Sequence, residues 1–198
     1  MSISQMSRRR FLKVAAGSTT LSLLPSLAWA ADWPALDFRF PQDPLLTWFD
    51  PTYGAVRGNG RRHLGIDLMA PKLSPVFAIA DGEVTRVAQS ARAGRYAILE
   101  HNDGWQSRYL HLNNDSEGGD SGRADWDLTV VDGLEEGARV IAGMQIAFVG
   151  DSGNAEGTNS HTHFELHLGS STVNPWPYLV DSQEIALSRI REARSTAF

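Results

Sequence analysis

The 198-residue chain contains no cysteine, so no disulfide staples the fold and no thiol serves as nucleophile or metal ligand. Any bound metal must be held by histidine and carboxylate, and stability must come from a buried core. An excess of basic charge is missing too. Four of the 18 Lys and Arg residues fall within residues 1–30, which hold no acid; the other 168 residues carry 14 basic against 23 acidic side chains, a net −9. A balance that acidic argues against nucleic acid and against an anionic membrane surface as partners. There is also no clean apolar run of membrane-spanning length. The stretch from Val14 to Leu27 is interrupted by Gly17, Ser18, Thr19, Thr20, Ser22, Pro25 and Ser26, which makes it too short and polar for a comfortable span. No internal repeat is visible, and 168 residues suffice for one domain with a real core.

What is present begins with an export tag. Ser7-Arg8-Arg9-Arg10-Phe11-Leu12-Lys13 precedes the weakly apolar stretch, which closes on Ala28-Trp29-Ala30, a small-x-small cleavage pattern. The arrangement resembles a twin-arginine (Tat) signal, a receptor-read address rather than an anchor. It implies removal of residues 1–30, export of an already folded protein to the periplasm or beyond, and no stable membrane anchor afterwards. Lack of cysteine suits folding in a reducing cytoplasm before export.

Residues 31–51, rich in Pro, Trp and Phe without a clear period, read as an extended lead-in packed on the domain surface. Beyond them, short β-type segments are broken by Gly and Asn, the rhythm of a mainly β domain. Expected strands are His63–Leu68, Pro75–Ala78, Gly82–Gln89, Tyr96–His101, Trp105–Leu110, Arg139–Ala142, Gln145–Val149 and His163–Leu168. Asn102-Asp103-Gly104 marks a hairpin, because Asp-Gly supplies positive φ at little cost. Gly137–Gly143 and Ile146–Gly150 suggest another pair of strands. Residues 113–132 are polar, Gly-rich and acidic, and read as a solvated surface insertion. Their aspartates lack the spacing of a calcium loop. A short helix is expected over Asp181–Arg194 within a C-terminal tail of residues 181–198, with Asp181-x-x-Glu184 as its capping box.

Four of the six histidines fall in three motifs: His63-x-x-x-Asp67, Tyr109-Leu110-His111-Leu112 and His161-Thr162-His163. In a strand, residues two and four apart share a face, so His161 with His163, and His63 with Asp67, can point into one cavity; Gly65 permits a bend between the latter pair. A single such motif is unremarkable, whereas three, each in an apolar β segment bracketed by glycine turns, make the metal donors and spare imidazoles of a metallohydrolase. Tyr109 shares the parity of His111 but reads better as packing. Glu165 shares the face of His163, as either a partner for a ligand histidine or an ordinary surface residue. His101 and His167 read as non-ligands.

These motifs stand in the order found in lysostaphin-type (LytM-like) zinc endopeptidases, which cleave peptide cross-links in bacterial cell walls. The chain from 52 to 180 resembles that family through Tyr53-Gly54-Ala55-Val56-Arg57, His63-Leu64-Gly65-Ile66-Asp67, Tyr109-Leu110-His111-Leu112, Gly150-Asp151-Ser152-Gly153, His161-Thr162-His163-Phe164-Glu165 and Val173-Asn174-Pro175 followed by Tyr178-Leu179. It departs from the family at Asn159-Ser160, where Gly-Pro is usual, at Thr162, by one extra residue before Arg57, and by the acidic insertion; none of these removes a matched ligand.

The resemblance implies a compact antiparallel β-sheet domain and a zinc ion held by His63, Asp67 and His163. It also implies two non-ligand catalytic imidazoles, His111 and His161. His161, two residues from His163, would act as general base on the zinc-bound water, and His111 would steady the oxyanion or protonate the leaving amine; these roles can be exchanged. The implied function is zinc-dependent hydrolysis of peptidoglycan peptides by a monomeric enzyme. Two alternatives stand beside it: a non-catalytic regulator of cell-wall amidases, and a zinc peptidase acting on secreted proteins or peptides.

Overall fold

The computed structural model describes residues 36–196. The expected export tag, the first residues of the lead-in and the last two residues of the tail lie outside them. Nine strands and one helix follow in order: β1 (Ile66–Met69), β2 (Pro75–Phe77), β3 (Gly82–Ser90), β4 (Gly94–His101), β5 (Trp105–Leu112), β6 (Arg139–Val140), β7 (Gln145–Phe148), β8 (His161–Leu168), β9 (Ser171–Val173) and α1 (Trp176–Ser195). The main antiparallel sheet runs β1-β8-β5-β4-β3-β6, with β9 also paired to β8. A second sheet consists of β2 and β7.

The mainly antiparallel β architecture with one C-terminal helix is the one expected. The β4–β5 hairpin turns where Asp103 and Gly104 take φ values of 60° and 78°. The segments around β6 and β7 do not pair with each other: β6 joins β3 and β7 joins β2. Strand alternation cannot choose a partner, and that pairing was beyond its reach. The helix starts at Trp176 rather than Asp181, so Asp181 sits inside it and caps nothing. Pro177 fits the first turn, where its missing N–H costs no helical bond, and the Trp176 N–H donates to Asn174 Oδ1 at 3.0 Å.

Strand β8 occupies the middle of the fold and is buried on both faces from Thr162 to His167. One face, with Thr162, Phe164 and Leu166, packs into a core shared with Ile66, Leu68, Leu99, Trp105, Tyr109 and Leu179. Truncating a fully buried ring such as Phe164 would cost about 3–5 kcal/mol. The opposite face carries His161, His163, Glu165 and His167, one after another. The lead-in contributes to the core as well: Phe40 is buried, Phe38 meets Phe164 edge-on, and Gln42 Nε2 donates to Thr162 Oγ1 at 2.9 Å. Among the described residues no helix is long and apolar enough to cross a membrane.

Candidate metal centre

Register brings two of the expected ligands together. Asp67 on β1 lies directly opposite His163 on β8, and opposed residues in an antiparallel pair share a face. His63 arrives differently, because the strand begins only at Ile66. Its segment is held by loop pairing: the Gly54 N–H donates to the His63 carbonyl, and the His63 N–H donates to the Ala55 carbonyl, each at 2.8 Å. The chain then bends through Gly65, where a Cβ would collide with the Phe164 carbonyl. The absence of a side chain at Gly65 is therefore what lets His63 swing over the sheet.

His63 Nε2, His163 Nδ1 and Asp67 Oδ1 converge, separated from one another by 2.9–3.0 Å. The remaining ring nitrogens face acceptors. His63 Nδ1 lies 3.1 Å from the Thr52 carbonyl, and His163 Nε2 lies 3.1 Å from Glu165 Oε1. The Glu165 contact places the His163 proton on Nε2 and leaves Nδ1 free towards Asp67; at His63 the Thr52 carbonyl favours a proton on Nδ1, while Arg57 Nη2 lies 3.0 Å from both ring nitrogens. That donor set fits a divalent metal ion. Burial disfavours the Asp67 carboxylate, yet its bonds to His163 and His63 outweigh burial and hold its pKa far below the usual range. Burial likewise opposes charge on His163, but Asp67 and Glu165 on either side raise its pKa. Two carboxylates thus favour positive charge where the three donors meet. Glu165 is buried, with its carboxyl pKa lowered mainly through His163 and His167 against the cost of burial. It is a partner of His163 rather than a surface residue.

His111 reaches the site through a departure from strand geometry. Arg95 pairs with Leu112 and Ala97 with Tyr109, so two residues of β5 oppose one of β4, a β-bulge. Tyr109 pairs with Phe164 in the core, and its hydroxyl accepts the Ile79 N–H. Leu110, opposite His163, is on the site face. Strict alternation would return His111 to the core. Instead it takes φ 62°, in the left-handed region that few non-glycine residues adopt. Its ring then lies 5.2 Å from His161 and 6.0 Å from His163, centre to centre. Tyr109 and His111 share sequence parity but not a face.

The two spare imidazoles are oriented alike. His111 Nδ1 faces the Ser152 carbonyl at 2.9 Å, and His161 Nδ1 faces the Asn159 carbonyl at 2.8 Å. Each therefore donates Nδ1–H to the backbone and keeps Nε2 bare. Burial pushes the His111 pKa down to about 4, with His161 and His163 adding to the effect and the Ser152 carbonyl opposing it. His101 and His167 stay out of the cluster. His101 bonds the Asp81 carbonyl and Ser107 Oγ, and His167 bonds Glu165 Oε2 at 2.8 Å. Arg57 Nη2 lies 2.6 Å from Asp67 Oδ2 and 3.0 Å from both ring nitrogens of His63, so the guanidinium sits against the edge of the donor cluster. The orienting carbonyls of Thr52, Ser152 and Asn159 carry no signal in sequence, since every residue has one.

A sequence profile of peptidase family M23 matches residues 61–121. The chain is 33% identical over 141 residues to the peptidoglycan DD-endopeptidase ShyB of Vibrio cholerae, covering 69% of this chain and 29% of that protein. It is 31% identical over 144 residues to the murein hydrolase activator NlpD of Escherichia coli, covering 69% of this chain and 32% of the relative. The chain thus spans about a third of the length of these curated relatives. Among solved structures, the catalytic domain of the antimicrobial peptidase lysostaphin from Staphylococcus simulans superposes with a TM-score of 0.53 at 26% identity, covering 67% of this chain and 92% of that one. By motif order, sheet architecture and these likenesses, the chain belongs to the M23, lysostaphin-type family of metallopeptidases.

Proposed function

We propose that the protein is a zinc-dependent endopeptidase that hydrolyses peptide cross-links of bacterial peptidoglycan, acting in the periplasm after export. The observation that carries this reading is the convergence of His63 Nε2, His163 Nδ1 and Asp67 Oδ1, with two further imidazoles beside them. In the proposal those three residues hold zinc. When bound, zinc lowers the pKa of its water to about 7 and polarises an amide carbonyl.

The chain's own residues supply the proton chemistry. His111 and His161 both present a bare Nε2, so each enters as a proton acceptor. An imidazole that has taken the attacking water's proton becomes the donor for the leaving amine. The motif offset favours His161 for the first of these tasks, and the two roles can be exchanged. Glu165 and the Thr52 carbonyl orient the ligand imidazoles, and Arg57 reaches both Asp67 Oδ2 and the His63 ring.

Cross-linked muropeptides incubated with purified protein, with and without a chelator, test the reading. Loss of cross-linked dimer that zinc restores after chelation is expected; intact dimers across several wall types refute it. Similarity to the activator NlpD favours a second reading, regulation of separate amidases through the same fold. The complete set of His63, Asp67, His111, His161 and His163 favours catalysis. A His163→Ala protein separates the two, since a regulator keeps its cellular effect and an enzyme loses it. Cleavage of secreted proteins is separated by a peptide panel alongside the muropeptides.

A further inference from the structure

An uncharged pocket of about 380 Å³ opens beside His161, with Leu46, Trp48, Met69 and Pro71 as its apolar wall and Asn159 and Ser160 at its polar end. Its position relative to the metal centre follows from register. Met69 lies directly opposite His161 in the β1–β8 pair, two residues along from Asp67 opposite His163, so the Met69 side chain stands on the face that carries the donors. The polar end is continuous with the same imidazole, because the Asn159 carbonyl accepts His161 Nδ1–H. No acid or base lines the pocket, although charged residues make up 21% of the chain.

The wall is held by its backbone while its side chains face solvent. Trp48 and Met69 exchange both backbone bonds, at 3.2 and 3.0 Å. Gln183 Nε2 of α1 donates to the Pro44 and Thr47 carbonyls at 3.1 Å each, and Thr47 Oγ1 donates to Gln42 Oε1. Leu46 and Trp48 are nonetheless 53% and 58% exposed. Large apolar side chains presented together on a fixed backbone, next to a reactive group, mark a recognition surface.

Building on the peptidase reading above, we propose that Leu46, Trp48 and Met69 form a substrate subsite that receives an uncharged, apolar side chain of the peptide on the His161 side of the scissile bond. Trp48 is its specificity-determining residue. A carboxylate or ammonium placed there loses its hydration without gaining a partner, so the pocket rejects peptides charged at that position.

The test uses paired peptides that differ only in the residue flanking the scissile bond, alanine or leucine against glutamate. Wild-type protein is expected to prefer the apolar member by about tenfold or more in kcat/KM. Trp48→Ala should erase most of that preference through a rise of about tenfold in KM for the apolar peptide. Leu46→Glu should shift the preference towards a lysine-bearing peptide. Binding of the uncleaved peptides to His163→Ala protein, read by Trp fluorescence against a Trp48→Phe control, gives the same ranking without turnover. A wild-type protein that cleaves nothing yet binds the apolar peptide through Trp48 refutes the peptidase reading and keeps the subsite. Equal losses for apolar and charged peptides in Trp48→Ala, or a change in oligomeric state instead of KM, overturns the subsite.

Discussion

The fold holds two clusters of ionisable side chains that differ in where their positive charge comes from. At the metal centre, Asp67 and Glu165 flank His163, and donor atoms of His63, Asp67 and His163 converge. Beneath the acidic insertion, Asp115, Asp120 and Asp151 surround Lys72 Nζ at 2.8–2.9 Å. Lys72 is the sole lysine after Lys13 in a chain with 16 arginines. An ammonium with three donors about one atom suits three carboxylates, where the planar guanidinium fork does not. A lysine ringed by carboxylates makes a structural clamp; at the other cluster the cation is Arg57, an exposed side chain at the edge of Asp67 and His63, and the converging imidazole and carboxylate donors suit a divalent ion. The clamp anchors the insertion of residues 113–132, in which residues 116–121 and 125–127 face solvent. Asn113, Asn114, Asp115, Thr129 and Val130 at its two feet are buried, and Asn113 Nδ2 ties them by donating to the Asp115 and Leu128 carbonyls.

Removing one member from each cluster should separate the two most sharply. His163→Ala is expected to lose bound zinc by elemental analysis and to lower muropeptide hydrolysis on the order of 10⁴-fold or more. His111→Ala should cost about 10²- to 10³-fold in kcat while zinc is retained; zinc lost from that variant would move His111 into the ligand set. Lys72→Met leaves two buried carboxylates without their cation, and should destabilise the fold by about 3 kcal/mol in urea unfolding with zinc stoichiometry unchanged. Glu165→Gln, which keeps the shape but not the charge, should weaken zinc about 10- to 100-fold in competition with a chelator.

The smallest expected effect is in pH dependence. Burial opposes ionisation of Asp115, but Lys72 and the Gly122 N–H outweigh it and keep its pKa below the ordinary 3.8. Its stabilisation is therefore complete above that value and fades as pH falls through the lower folded one. Burial would lower Lys72, yet its three carboxylates raise it above 10.5, so that contribution is complete below the ordinary value and is lost as pH rises from there through the raised one. The stability gap between wild type and Lys72→Met should stay flat from about pH 5 to 9 and narrow outside it. Zinc should leave at a higher pH than the clamp loosens in acid, because protons compete directly for imidazole ligands. Coincident acid transitions would erase the distinction between the clusters.

Much of the site was legible in the residues. The donors stand in short motifs, and H-x-H on a strand needs only period-two geometry. His63 was harder, since it reaches Asp67 through a bend at Gly65 and loop pairing with Ala55. Parity misleads at Tyr109 and His111 because the bulge adds one residue, and no periodic pattern encodes a bulge. The β6 and β7 segments were found as strands but not with their partners, because a strand's apolar pattern describes its face and not its neighbour.

Composition and motif order alone determined that histidine and carboxylate are the available donors, that the domain is mainly β, and where the β4–β5 hairpin turns. Those properties are local, set by side-chain chemistry and by backbone preferences over a few residues. Only the tertiary structure decided that three donor atoms converge, that His111 turns out of the core, and that Lys72 meets Asp115 across 43 residues of chain. Each depends on strand register and loop closure, which are settled by packing the whole sheet at once.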